Sequence, residues 1–277
     1  MSDNEWIVYN HALIPKIPPH VAPNTNNLSQ LLSKSSAYFA RYTTNFDCGY
    51  ETEWWYCIKD NDINLDALNS KRRYVVKSGI HNFEVRIIDP VQYSVRIYDI
   101  TREGFRGRGK EASFEIERGS FIESVVSWRG MDCFGAFDRR TGELSGYALC
   151  VVLGDCANLN AVRTLPESEK KNIHAAIVNG VCQYYLNGKK ARYLSDGERN
   201  IRHVTGYQDY LIKYFGFRKA YCVLNVKYKT FVNIIISMLY PFRGLFAICS
   251  ANLFVYNIYC TLKQEQIHRS FKSLEGL

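Results

Sequence analysis

The apolar positions of this chain change period several times, and each change marks an element. Leu28, Leu31, Leu32, Tyr38 and Phe39 keep roughly helical spacing and predict a short helix over residues 28–42. Ahead of it lie most of the seven prolines and an Asn-Thr-Asn-Asn run, an extended lead-in anchored through Trp6 and Tyr9. Residues 53–58, Glu-Trp-Trp-Tyr-Cys-Ile, read as an aromatic strand, 66–78 as a basic helix, and 83–88 as an alternating strand that ends at Pro90. Helical stretches near 91–105 and 117–128 flank a break rich in Gly and Arg at 104–110.

From Met131 the pattern sharpens. Residues 134–137 and 146–153 predict two strands joined by the short loop 139–142, and 157–163 predicts a third. Thr164 with Glu167 three residues later has the form of a capping box. The helix it opens, over 167–186, puts Ile173, Ala176, Ile177, Gly180, Val181 and Tyr184 on one face, with Gly180 allowing close approach to a sheet. A strand over 191–194, a helix over 207–214 stopped by Gly216, and a last strand over 220–228 follow. The order β-β-β-α-β-α-β predicts a mixed α/β sheet.

Beyond Lys229 the text turns apolar, and Arg243 is the one charge before Lys263. Pro241 divides this run into pieces of about 12 and 21 residues, the second close to the roughly 20 needed to span a bilayer. Two readings stay open. Met238, Phe242, Leu245, Cys249, Leu253, Tyr256 and Cys260 form a helical stripe suited to packing on the N-terminal lobe, as buried or peripheral helices. Alternatively, 230–262 makes a peripheral membrane contact.

Composition narrows the class. With 277 residues, 47% apolar and 22% charged, the chain is globular and long enough for two subdomains or one large α/β unit. Nine cysteines without a C-x-x-C pair, and a start without an apolar core, predict a cytoplasmic protein with reduced thiols and no zinc. A net charge of +8 attracts phosphates, although the short basic clusters also read as solvated faces. His81, His174 and His268 lack ligand-spaced partners and read as structural.

Residues 131–228 resemble the GNAT superfamily of N-acyltransferases. The likeness is carried by Phe137-Asp-Arg-Arg-Thr-Gly-Glu-Leu-Ser-Gly-Tyr-Ala148, by the strand leading into Leu165-Pro166-Glu167, and by Tyr214-Phe-Gly-Phe-Arg218. Residues 1–130 resemble the degenerate first lobe of FemAB-like proteins through Ser70-Lys-Arg-Arg-Tyr-Val-Val-Lys-Ser-Gly79 and the strand after it. The resemblance implies a GNAT-like mixed sheet flanked by helices, a preceding incomplete lobe, and C-terminal apolar helices over 229–277.

It also implies an N-acyltransferase with an anionic donor, acyl-CoA or aminoacyl-tRNA, and no permanently bound cofactor. The acceptor is an amine, an amino sugar of a cell-surface glycan being the working choice, and no DNA partner is expected. Acyl-CoA-using members cradle the pyrophosphate on backbone N–H groups where the long helix begins, in a loop carrying two glycines. Here Glu169 stands where a basic or amide residue is usual, and Lys170 and Asn172 replace the glycines. FemAB-like members, whose family donor is aminoacyl-tRNA, lack the glycine loop as well. Lys170, Lys171, Asn172, Arg199 and Asn200 are therefore the candidate donor-binding residues.

Residues 195–203 form the richest polar segment and follow a predicted strand end, where open α/β sheets bind ligands. Asp196, Glu198 and His203 are candidate bases, though Asp-Gly is also ordinary turn chemistry and Asn200 suits a helix cap. Tyr210 is the candidate acid, although Ile212 holds the superfamily's usual position and packing explains Tyr210 equally well. The alternative to an enzyme is a non-catalytic binding protein for RNA or a membrane surface.

Overall fold

The computed structural model of the chain describes residues 5–61, 63–66, 68–107, 117–201, 206–248 and 252–272. In chain order the elements begin with strands β1 (Trp6–Tyr9) and β2 (Ala12–Pro15), helix α1 (Leu28–Lys34), and strands β3 (Phe39–Thr44) and β4 (Trp55–Lys59). Helix α2 (Ser70–Asn82), strand β5 (Phe83–Ile88), and helices α3 (Ser94–Gly107) and α4 (Arg118–Val125) follow. Next come strands β6 (Asp132–Asp138), β7 (Leu144–Leu153) and β8 (Cys156–Thr164), helices α5 (Pro166–Glu169) and α6 (Ile173–Cys182), and strand β9 (Leu194–Glu198). Helix α7 (Tyr207–Phe215), strands β10 (Arg218–Tyr221) and β11 (Val223–Tyr228), and helices α8 (Thr230–Leu239), α9 (Arg243–Ile248) and α10 (Leu253–Lys272) complete the described chain. The architecture is mixed α/β, with strand orders β1-β2-β3-β11 and β10-β4-β9-β8-β7-β6-β5. Two compact units are formed: Met1–Cys57 with Glu198–Gly206 and Lys219–Leu277, and Ile58–Gly197 with Tyr207–Arg218.

In the second unit β5, β6, β7 and β8 pair antiparallel. The first seven residues of β7 are all buried, which explains why it reads as a continuous apolar run rather than an alternating one. Helix α6 buries Ile173, Ala175, Ala176, Ile177, Val178, Val181 and Cys182, each fully buried Ile or Val worth roughly 1.5–3 kcal/mol. Gly180 permits the close approach its position predicted, since a Cβ there would lie 2.6 Å from Val85 Cγ1 on β5. Past Cys182 the helix widens into a π turn, Gln183–Gly188. There the Tyr185 hydroxyl donates to Asp132 Oδ2 at 2.5 Å, and Phe134 meets the rings of Tyr184 and Tyr185 at 5.3 and 5.8 Å.

The hairpin over 134–152 is present, but the helix expected over 167–186 is broken. Pro166–Glu169 forms one short turn, Asn172 takes a left-handed φ of 63°, and the regular helix starts only at Ile173. Thr164 is not the cap. It ends β8, Leu165 takes the N-cap position, and the Thr164 hydroxyl bonds Glu169 instead. The strand expected at 191–194 begins where that reading ends, because residues 195–198 extend the sheet despite their Asp-Gly pair; Gly197, at φ 81°, absorbs the kink.

In the first unit the lead-in is a hairpin, not an extended arm. Asn10 and His11, with φ of 47° and 62°, make the turn between β1 and β2. Trp6 packs edge-on against Tyr42 at 5.9 Å, whereas Tyr9 is exposed. The helix expected over 28–42 stops at Lys34. The Ser35 hydroxyl accepts the Ala37 amide, and residues 39–44 leave the helix to pair with β11 in the register Phe39↔Tyr228 to Thr44↔Val223. The single strand expected at 220–228 is two, split at buried Cys222, whose amide bonds the Trp54 carbonyl.

Helix α10 packs on β11 through Ile267 and Phe271, and His268 Nδ1 lies 3.1 Å from the Leu224 carbonyl. The C-terminal stripe does not pack as one face. Cys260 is buried, but Met238, Phe242, Leu245 and Leu253 are exposed, and Cys249 lies outside the described residues.

Candidate functional site

Strands β8 and β9 pair in parallel only through Ala157↔Leu194 and Asn158↔Ser195. β8 continues to Thr164 along β7, so beyond Asn158 its other edge has no partner in β9. The ladder opens toward the carboxyl ends of both strands. Such an opening presents strand-edge N–H and C=O groups that an extended, amide-bearing ligand can bond.

Asp196 stands on β9 just past the last pair. Burial pushes its carboxyl up from an ordinary value near 3.8 to about 7, against a hydrogen bond from Gln208 that works the other way. The first residues of α7 face it. Tyr207 is half-buried as a residue, but its hydroxyl is shielded from water and has no hydrogen-bond partner among the described residues, and burial with the Asp196 charge drives it well above its usual 10. The Tyr207 ring meets the His174 ring edge-on at 6.1 Å. His174 Nε2 lies 3.2 Å from Thr164 Oγ1, which donates to Glu169 Oε1 at 3.2 Å. His174, read as structural, thus borders the site from α6.

Lys170, Lys171 and Asn172 gather where α6 begins. Lys170 is exposed, while Lys171 donates to Asp138 Oδ2 at 2.7 Å. Four amides at this turn are already used internally: Lys171 to Ser168, Asn172 to Glu169, and both Ala175 and Ala176 to the Asn172 carbonyl. Helix α2 covers the same turn, with the side-chain Nδ2 of Asn172 donating to Ser78 Oγ at 3.1 Å, so that the four backbone amides are both used and covered. These amides cannot also cradle a pyrophosphate.

Asp138 ties this turn to the hairpin. The Lys171 ammonium, aided by the amides of Arg140 and Thr141, holds its carboxyl below the usual carboxylate range. Asp138→Ala is expected to cost about 1–3 kcal/mol in denaturant melts at pH 7. The pH sign follows from the lowered value. The stabilisation is complete above the unfolded carboxylate range and disappears as pH falls through the lower folded value, so the variant and wild type converge in acid.

Glu198, Arg199 and Asn200 belong to the first unit, where they line a cavity of about 610 Å³ with Arg41, Trp54 and Gln264. Glu198 pairs with Arg41 and accepts the Trp54 indole N–H at 3.2 Å. Arg199 donates to the Glu53 carbonyl at 2.5 Å and lies over the Trp55 ring at 4.7 Å. Tyr210 sits within an aromatic stack, 6.0 Å from Tyr207 and 5.1 Å from Tyr214. His203 lies outside the described residues. Burial lifts the Cys133 thiol to about 12 and raises those of Cys150 and Cys222, so these thiols stay protonated and are poor nucleophiles.

No family model matches this chain, and no curated protein matches it. Solved structures of similar chain path include L-PGS from Bacillus licheniformis, with a TM-score of 0.49, 9% identity, and coverage of 81% of this chain and 80% of that one. FemX gives 0.48 at 8% identity over 70% of this chain and 73% of its own. The PaiA N-acetyltransferase from Thermoplasma acidophilum, in complex with coenzyme A, gives 0.31 at 15% identity over 39% and 74%. At these identities the likeness concerns the arrangement of elements alone.

Sequence reasoning reached Asp196 but missed Tyr207, which is one of 20 tyrosines and has no spacing of its own. Its place in the first turn of the helix after an acidic strand end was the available signal.

Proposed function

We propose that the chain is an N-acyltransferase whose reaction takes place where β8 and β9 part, with residues 131–228 as its catalytic stretch and 1–130 as a FemAB-like partial lobe. The observation that carries this reading is a carboxyl poised near 7, Asp196, beside an enclosed tyrosine hydroxyl, Tyr207. An amine acceptor reaches the site as an ammonium and must lose a proton before it attacks, and a base near neutrality does this best. Asp196 takes the ammonium proton and passes it to solvent. The amine nitrogen then bonds the donor's carbonyl carbon, the C–S or C–O bond to the leaving group breaks, and Asp196 takes the second proton that the nitrogen loses as the amide forms, again releasing it to solvent. Tyr207, whose proton is tightly held, donates to the departing oxygen or sulfur and is reprotonated from solvent.

The donor is anionic, an acyl-CoA or an aminoacyl-tRNA. The internal use of the amides of Lys171, Asn172, Ala175 and Ala176 favours a donor that needs no pyrophosphate cradle there. If CoA is used, Lys170 supplies charge to its phosphates, together with Lys171 released from Asp138. Glu198, Arg199 and Asn200 then serve ligand binding in their own cavity, and the acceptor is an amine such as an amino sugar of a surface glycan. A cytoplasmic enzyme fits the reduced thiols.

Thermal shift with acetyl-CoA, longer acyl-CoAs and charged tRNA tests the donor, because a ligand specific to the folded state raises the melting point. In the transfer assay that follows, Tyr207→Phe is expected to lower kcat by about 10–100-fold with KM little changed. Failure of every donor to shift the melt, with no transfer to any amine, would overturn the reading in favour of a binding protein.

A further inference from the structure

Within the first unit, α8, the 3-10 turn Tyr240–Phe242 and α9 form a 19-residue helical run, Thr230–Ile248, with a mean hydropathy of 1.7 and 6% of its most apolar window buried. Its two faces differ. Val232, Ile236, Tyr240, Arg243 and Phe246, at helical spacing, are buried or half-buried, and α8 lies along β11. The opposite face carries Phe231, Ile234, Ile235, Met238, Phe242, Leu245 and Ile248, each 50–83% exposed. Leu253 and Phe254, at 73% and 72% exposed, continue it at the start of α10. Soluble proteins rarely leave so continuous an apolar surface facing water.

The surrounding charge identifies what covers it. From Lys219 to Gln264 the chain carries five cations, Lys219, Lys227, Lys229, Arg243 and Lys263, and no carboxylate. Two carboxylates of the same unit pair with its cations, Glu53 Oε2 lying 3.3 Å from Lys263 Nζ and Glu265 Oε1 2.6 Å from Arg269 Nε, and Glu198 pairs with Arg41. At the break between α8 and α9 the guanidinium groups of Arg243 and Arg269 lie over the Tyr240 ring at 4.6 and 3.9 Å. A tyrosine with two arginines at the edge of an apolar face suits the boundary between acyl chains and phosphate head groups.

We infer that Thr230–Ile248 seats the first unit on an anionic lipid bilayer, lying in the interface plane instead of crossing it. Its length and composition would allow a span, but Pro241 interrupts the helix and one face is held by the protein; a span would have to strip α8 from β11. The outward side chains enter the acyl boundary while exposed Lys227, which donates to Ser29 Oγ at 2.5 Å in the free protein, turns to lipid phosphates. Half-buried Lys229, bonded to the Ser35 carbonyl at 2.7 Å, and Arg243 over the Tyr240 ring add positive field at the rim, a cation near the surface adding about 1 kcal/mol. This inference stands independently of the transfer chemistry.

Co-sedimentation of the full chain with vesicles tests it, comparing phosphatidylcholine alone with phosphatidylcholine containing 30% phosphatidylglycerol. Binding is expected to the anionic vesicles, weakened several-fold by raising salt from 50 to 500 mM and reversed by an alkaline carbonate wash. Met238→Ser, Phe242→Ser and Leu245→Ser together leave the net charge unchanged and alter only exposed positions. The triple variant is expected to keep its melting temperature and lose at least tenfold in partitioning. Undiminished binding of the variant would reduce the contact to bulk electrostatics and overturn the inference. Carbonate-resistant protein would mean a span and overturn the in-plane placement. A wild type that ignores vesicles overturns it too, and a dimer dispersed by the same substitutions would then assign the face to a second copy of the chain.

Discussion

At pH 8, Asp196→Asn is expected to lower kcat/KM by about 10²–10⁴-fold and at the same time to make the protein harder to unfold. The two effects have one cause. Burial raises the folded carboxyl from an ordinary 3.8 to about 7, so between those values the folded state keeps a proton that the unfolded chain has released. Stability therefore declines as pH rises from about 4 to about 7 and is level above that. Holding the ionised carboxyl in that place costs on the order of 2–4 kcal/mol at neutral to alkaline pH, allowing for relaxation around the charge. Asparagine removes the charge and with it the loss. Urea melts should show the variant stabilised at pH 8 and level with wild type near pH 4. The wild-type rate should climb with pH to a plateau above about 7, as a base requires. A variant that transfers acyl groups normally, or that is destabilised at both pH values, would exclude Asp196 as a buried base.

The second large effect lies where two helices touch. Gly79 on α2 faces the first turn of α6 so closely that a Cβ would sit 2.6 Å from the Asn172 carbonyl oxygen and 2.8 Å from the Ala176 nitrogen. Both neighbours are backbone, so no side-chain rotation relieves the clash, and the helices must move apart. In an open helix Gly→Ala gains about 1 kcal/mol from propensity alone. Here overpacking reverses the sign, and Gly79→Ala is expected to cost a net of about 2–3 kcal/mol in chemical denaturation. An alanine variant as stable as wild type would mean that α2 does not press on α6 in solution. The same contact bears on the donor, because it presses on the turn at Asn172 where α6 begins.

What the sequence made legible was local and periodic. The hairpin, the buried face of α6 and the role of Gly180 all follow from side chains whose spacing matches one element. Elements settled by distant partners were not legible. Residues 39–44 look helical beside Leu28–Lys34, yet pairing with β11 makes them a strand. The segment at 195–198 carries the composition of a turn, and its membership of a strand depends on the sheet around it. Asp196 was singled out as one of three candidate bases by its place near a strand end, and its burial was not legible, since that depends on the packed structure. Tyr207 could not be told from 19 other tyrosines, because what distinguishes it is the space it occupies.

The pairing of β3 with β11 also sets a timetable for synthesis. About 180 residues separate Thr44 from its partner Val223. At roughly 5–20 residues per second, the edge of β3 that takes β11 stands open on the nascent chain for about ten to forty seconds. The intervening residues include all of the second unit, which can fold meanwhile on contacts closer in sequence. An uncovered strand edge is a template for pairing with other chains. The first unit is therefore the part of the newborn protein that a holding chaperone has most reason to occupy, and ribosome pausing between residues 198 and 223 would lower soluble yield without altering a single contact of the finished molecule.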